Sequence, residues 1–245
     1  FSSPSDYAEQ VSWDGTNALS TDENSFLIYK HSGFTTTITT SFSSPSDYPT
    51  GLIWDGTNIL SGDASTTKIY LHTGFTTTIS NSFSSPSDTP FGVAWDSTNV
   101  LSGDSASFKI YLHTGFSTTI SNSFSSPSDF VRGLAWDSWS GNAPSAGNLL
   151  VAYNTLNEVW KFSGFTSTLS SSFSSPSSSL WSMCWDGANV ILSDGPGTTT
   201  VYRHSGFSST VESSITGVSS VGLSWDTQNL LAVDATINEF KYSGF

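Results

Sequence analysis

Five aspartates, Asp22, Asp63, Asp104, Asp194 and Asp234, each stand nine residues after a tryptophan. Carboxylates spaced so regularly have two uses. They can accept turn amides as Asx caps, or they can gather on one rim and draw a hard cation such as calcium, which takes several oxygen ligands. Five acids spread around a ring are too far apart to share one ion, so turn capping is the expected role. Calcium is the cofactor they would otherwise take.

The four histidines, His31, His72, His113 and His204, share one repeat position, which Phe162 and Tyr242 fill in the other copies. Exchange with aromatics argues for packing rather than proton transfer. A Ser-His-Asp hydrolase needs one histidine set apart from the rest, and none is, so no catalytic residue is expected. The candidate ligand-binding residues are those that differ between copies: Tyr7, Tyr48, Phe91, Phe130, Arg132 and Trp181, with Trp139 in an insertion. They combine aromatic surface with one of only two arginines.

The elements that position these residues are repeats. Trp-Asp pairs begin at Trp13, Trp54, Trp95, Trp136, Trp185 and Trp225, at intervals of 41, 41, 41, 49 and 40 residues. A period near 40 is the mark of a repeat architecture. The units run 1–41, 42–82, 83–123, 124–172, 173–214 and 215–245, within one domain spanning 1–245. In the second unit, Gly51 to Asp55 is a short apolar run closed by an Asp-Gly turn. Asn58 to Ser61, Lys68 to His72 and the Thr-rich Phe75 to Phe83 follow. The first two runs are nearly all apolar and the fourth alternates with Ser and Thr, as expected if the first strand is innermost and the fourth outermost. A four-stranded sheet with two apolar faces must bury both, and radial stacking into a closed ring does so. The fold class is therefore all-β: a six-bladed β-propeller of four-stranded antiparallel blades. The last blade is expected to be incomplete, with Phe1 close to Phe245. The six repeat tryptophans are expected to pack out of water between neighbouring blades.

The motif Pro49-x-Gly51-Leu52-x-Trp54-Asp55-Gly56-x-Asn58-Ile59-Leu60-x-x-Asp63, continued by Ile69-Tyr70-x-x-x-Gly74, resembles NHL and YWTD-type six-bladed propeller repeats. The resemblance covers the whole chain, departing from the pattern at the start of unit one and in the polar outer strands. It implies a fold rather than an activity. It also implies ligands on the loops that connect blades, and it admits a metal-dependent hydrolase, lactonase or lyase as the alternative function.

The formal net charge is -13, from 20 acids and seven bases. Nucleic acid and anionic membrane are poor partners for such a surface. A single cysteine, Cys184, rules out an intramolecular disulfide, and no apolar run is long enough to span a membrane. Units two and three agree at 30 of 41 positions, which points to a repeat scaffold. The break in symmetry is Ser138 to Gly147, which lengthens one hairpin of unit four and carries Trp139. The reading is a non-enzymatic scaffold or binding module presenting loops to a glycan or protein partner. An extracellular, viral or microbial-surface setting is favoured. The chain is expected to be monomeric, or paired through the open edge of its last blade.

Overall fold

The computed structural model describes residues 1–4, 7–86, 90–126, 131–137, 147–176, 179–195, 200–218, 220–234 and 238–245. Among these, every helix or strand element is a strand, and no helix is long and apolar enough to cross a membrane. Blade 1 is β1 (Ala8–Trp13), β2 (Ala18–Asp22), β3 (Leu27–His31) and β4 (Ile38–Ser43). Blade 2 is β5 (Pro49–Trp54), β6 (Ile59–Asp63), β7 (Lys68–His72) and β8 (Ile79–Ser84). Blade 3 is β9 (Pro90–Trp95), β10 (Val100–Asp104), β11 (Lys109–His113) and β12 (Ile120–Ser125). Blade 4 is β13 (Val131–Trp136), β14 (Leu149–Tyr153), β15 (Glu158–Phe162) and β16 (Leu169–Ser174). Blade 5 is β17 (Leu180–Trp185), β18 (Val190–Asp194), β19 (Thr200–His204) and β20 (Val211–Thr216). Blade 6 is β21 (Ser220–Trp225), β22 (Asn229–Asp234) and β23 (Glu239–Ser243).

Within each blade the strands pair antiparallel in chain order, and blade 6 has three. The first strand of each blade neighbours the first strand of the next, and β21 returns to β1. The six sheets therefore close into a ring, and the molecule is a six-bladed β-propeller. In blades 1 to 5 the second strand is buried throughout and the fourth is mostly exposed, so polarity rises with radius.

The first turn of each blade is made by its own sequence. Asp55 Oδ1 accepts hydrogen bonds from the Thr57 and Asn58 amides at 2.8 and 2.6 Å. Gly56 supplies the positive φ, +102°, that this turn needs. Asn58 Oδ1 then accepts from the Gly74 amide at 3.0 Å, tying the first turn to the third. In blade 4 the pair survives the insertion: Asp137 still bonds Asn148, and Asn148 Oδ1 still accepts from Gly164. The long hairpin expected there is present at its base; Trp139 lies outside the described residues.

The core sits between blades. Phe42 of β4 lies 4.9 Å from both His72 and Phe75 of blade 2. The same aromatic triad recurs as Phe83 with His113 and Phe116, Phe124 with Phe162 and Phe165, and Phe173 with His204 and Phe207. Phe1 completes the set by packing 4.9 Å from His31 and 4.7 Å from Phe34. The buried histidines are thus packing residues, as their exchange with aromatics implies. Burial pushes His72 and His113 down to about 4. Each accepts a serine hydroxyl, from Ser61 and Ser102 at 3.0 and 2.9 Å, in its neutral form.

The seam between blades 6 and 1 differs. Phe1 and Glu239 exchange main-chain hydrogen bonds of 2.7 and 2.8 Å, and Ser2 bridges Asn238, so the first residues cap the outer edge of β23 at one end. This matches the expected short N-terminal patch. Glu239 fills a position held elsewhere by Ile28, Ile69, Ile110, Val159 and Val201. Its carboxylate is fully buried and lies 3.1 Å from His31 Nε2.

Candidate functional site

The six innermost strands begin at one rim of the channel and end at the other. All six carry a register shift at their second residue. There, two residues of the inner strand face one of its neighbour. Such a bulge frees the extra residue from the ladder and re-aims its side chain. The residues so placed are Glu9, Thr50, Phe91, Arg132 and Trp181, with Val221 at the equivalent position of β21. No two of the six are alike.

Glu9, Gln10, Tyr48, Thr50, Phe91, Arg132 and Trp181 line a cavity of about 30 Å³. Gln10, Thr50, Phe91 and Arg132 also line the channel cavity of about 220 Å³, so the small cavity is its rim end. Arg132 is the centre of the cluster. Its guanidinium carbon lies 4.7 Å from the Phe91 ring centroid and 4.1 Å from that of Trp181. Each such contact contributes about 0.5–2 kcal/mol, more when desolvated. Burial lowers the Arg132 pKa, against the opposing charges of Tyr48 and Glu9.

Glu9 brings the opposite charge. Burial, with the Glu23 carboxylate beside it and hydrogen-bonded to it, pushes Glu9 up to about 7. Arg132 acts against that rise. The site therefore holds an acid that titrates near neutrality, a stacked cation and aromatic walls. Thr50 Oγ1 donates to the Pro90 carbonyl at 2.7 Å and joins blade 2 to blade 3 beneath them. Burial raises the Tyr48 phenol, with Glu9 and Glu23 adding to the shift.

Four of the seven residues proposed from sequence, Tyr48, Phe91, Arg132 and Trp181, come together here. Tyr7 is on the same rim but projects outward, 46% exposed, and does not line the cavity. Phe130 and Trp139 lie outside the described residues. Glu9, Gln10 and Thr50 are functional candidates that the sequence reading did not include. The signal was available in the repeat alignment, two positions after Tyr7 and Tyr48; the bulge that turns that position inward is invisible in sequence.

The same rim carries Asp22, Asp63, Asp104, Asp194 and Asp234. Asp22 Oδ1 accepts from the Ser25 amide and hydroxyl at 2.7 and 2.8 Å, and Oδ2 from the Tyr7 amide at 3.3 Å. Asp63 bonds Thr66, Asp104 bonds Ala106 and Ser107, and Asp234 bonds Asn238. Asp194 Oδ2 accepts from the Tyr202 hydroxyl at 3.5 Å. Each acid thus serves its own blade. Among the described residues no three His, Cys, Asp or Glu side chains are grouped to hold a metal ion. Around the cavity, Phe26 and Phe108 stand 44% and 46% exposed in the second turns of blades 1 and 3. Both adopt positive φ, +57° and +54°, which bulky side chains seldom accept.

At the opposite end the six repeat tryptophans line the channel. Here the expectation of burial between blades is corrected. Each indole packs against an interblade cluster, as Trp136 does with Leu134 and Leu149, yet all six are only half-buried. An indole at the last residue of the innermost strand has blades on two sides and the open channel on the third.

No family model and no curated protein matches the chain. By fold, 1105 chains of solved structures match it, so the architecture selects no single activity. One is a chain from the structure titled "Crystal Structure of Mitotic Checkpoint Complex", with a TM-score of 0.70 at 16% identity, covering 97% of this chain and 75% of that one. At that identity the likeness is one of fold: this chain is similar to it as a propeller.

Proposed function

We propose that the protein is a non-catalytic binding scaffold that seats a protein partner on the rim around Arg132, Phe91 and Trp181. The observation that carries this reading is the set of six bulged positions. The Asp-to-Asn first turns and the terminal tryptophans repeat in every blade, whereas these positions hold six different residue types. Repetition builds a ring; departures from it at inward-turned positions make a surface that fits one partner. The exposed Tyr7, Phe26 and Phe108 extend apolar contact outward from the cavity, as expected around aromatic and arginine anchors. The similar propeller chain comes from a structure titled as a complex, which supports a protein over a glycan. The resemblance of the repeat motif to NHL and YWTD propellers, which places ligands on interblade loops, supports the same rim.

The test is a pull-down with wild-type protein and with Arg132→Ala and Trp181→Ala, run beside a glycan array and a thermal-shift screen with calcium and manganese. The reading expects protein partners captured by the wild type and lost in both variants. A glycan hit that both variants abolish moves the ligand to carbohydrate. Stabilisation by a divalent ion, with turnover of an ester or lactone, replaces the scaffold with a metal-dependent hydrolase.

A further inference from the structure

The tryptophan end of the channel carries a second repeated constellation. The aspartate after each tryptophan caps its turn, and in four blades a basic side chain from the third strand reaches it. Lys30 Nζ lies 2.6 Å from Asp14, Lys161 Nζ 2.6 Å from Asp137, Arg203 Nη2 2.9 Å from Asp186 and Lys241 Nζ 2.6 Å from Asp226. Lys241 shows what surrounds such a cation: its Nζ also lies 5.2 Å from the ring centroid of Trp13 in the next blade.

Blades 2 and 3 keep this arrangement but lack its cation. Leu71 and Leu112 stand where the others have lysine or arginine. Asp55 and Asp96 hold the same turn geometry, with Asn58 and Asn99 donating side-chain hydrogen bonds at 3.3 and 3.0 Å. Among the described residues no basic side chain pairs with either. Leu71 packs in the cluster that holds Trp95, and Leu112 in the one that holds Trp136. The six aspartates at this end therefore face four built-in cations, and both unmatched charges fall on adjacent blades.

We propose that Asp55 with Leu71 and Trp95, and Asp96 with Leu112 and Trp136, form paired receptor sites for organic cations. The ligand is an ammonium or guanidinium on an apolar stem, as in a diamine or a lysine or arginine side chain. The charged head takes the place that Lys241 occupies between Asp226 and Trp13. The stem lies on the leucine and the indole, where a hydrated inorganic ion would gain nothing. The other four blades are the internal reference: in each a tethered cation pairs with the equivalent aspartate, and in the next blade Lys241 has Trp13 beside it, Lys30 has Phe75 and Lys161 has Phe207. A single ammonium makes one weak exposed contact. Two linked ones gain from the second site at high effective concentration. This inference is independent of the rim reading, since it concerns the other end of the channel.

Tryptophan fluorescence and calorimetric titration test it, with cadaverine and a lysine-rich peptide as probes and 1,5-pentanediol as the neutral control. The expectation is saturable binding of cadaverine, or of the peptide alone if the source is a protein, and none of the diol. Asp55→Asn/Asp96→Asn weakens binding about tenfold or more. Leu71→Lys/Leu112→Lys, patterned on Lys30 and Lys161, abolishes it by filling both sites from within. Equal response to the diol, no saturable binding of either cation, or undiminished binding in the lysine double variant overturns the proposal.

Discussion

Where the six innermost strands begin, equivalent positions hold Glu9, Thr50, Phe91, Arg132, Trp181 and Val221; where they end, all six hold tryptophan. The two ends share strands, neighbours and pseudo-symmetry. They differ in what the fold asks of them. A half-buried indole at a fixed radius fills the same wedge between blades in every copy, so one residue type suits all six. A bulged residue has left the ladder and its surroundings differ from blade to blade: Thr50 bonds the Pro90 carbonyl, Glu9 faces Glu23 and Arg132 lies against Phe91 and Trp181, so the fold sets no common type there. A repeated residue therefore reads as construction and a divergent one at a bulge as recognition.

Breaking the repeated end has the largest expected effect. Trp136→Ala removes an indole from the cluster of Leu134, Leu149 and their neighbours and costs about 3 kcal/mol or more, toward the lower end for buried aromatics because the ring is half-buried. A urea midpoint reads this. At the other end Arg132→Ala gives up two ring contacts, about 1–2 kcal/mol, while partner capture falls at least about tenfold. An Arg132→Ala protein as unstable as Trp136→Ala would erase the distinction between the two ends.

Acidity separates them further. His72 and His113 sit near 4 in the folded state against 6.5 unfolded. The unfolded chain binds more protons between those values, so the histidines' share of stability is complete above 6.5 and is lost as pH falls toward 4. Glu9 runs the other way. Its value of about 7, against 4.5, means that stability is lost as pH rises from 4.5 to 7. Two histidines outweigh one carboxylate, so the melting temperature is expected to drop on acidification from 6.5 to 4. Glu9→Gln should steepen that drop, and His113→Phe, which copies Phe162, should flatten it. A Glu9→Gln protein with an unchanged pH profile would deny that the rim holds a neutral-range acid.

The smallest expected change asks whether every departure from the repeat signals function. Glu239 stands alone among five isoleucines and valines, but it is buried in a seam, facing His31. Glu239→Ile restores the residue type that Ile28, Ile69 and Ile110 give this position, so a change within about 1.5 kcal/mol is expected. Glu239→Ala, which leaves a gap opposite His31, should cost about 3 kcal/mol or more. Chemical denaturation of the two variants decides this. If isoleucine is no better tolerated than alanine, the Glu239–His31 pair is an essential latch.

The blade count, the strand order, the buried second strands and the packing role of the histidines were all legible in the repeat. Each follows from local hydrophobic pattern and from turns such as Asp55-Gly56-Thr57-Asn58 that fold on their own chemistry. The candidate rim was legible in part, because Phe91, Arg132 and Trp181 break the pattern. Glu9 and Thr50 escaped because the bulge that aims them inward is a register event between two strands. The half exposure of the tryptophans escaped for a similar reason: the open third side of each indole exists only once six sheets have closed around a channel. The sequence by itself determined the unit, its turns and the number of copies, which are local properties of about forty residues. The ring decided which unlike residues meet across its centre and which side of each indole faces the open channel, because those contacts join blades distant in the chain.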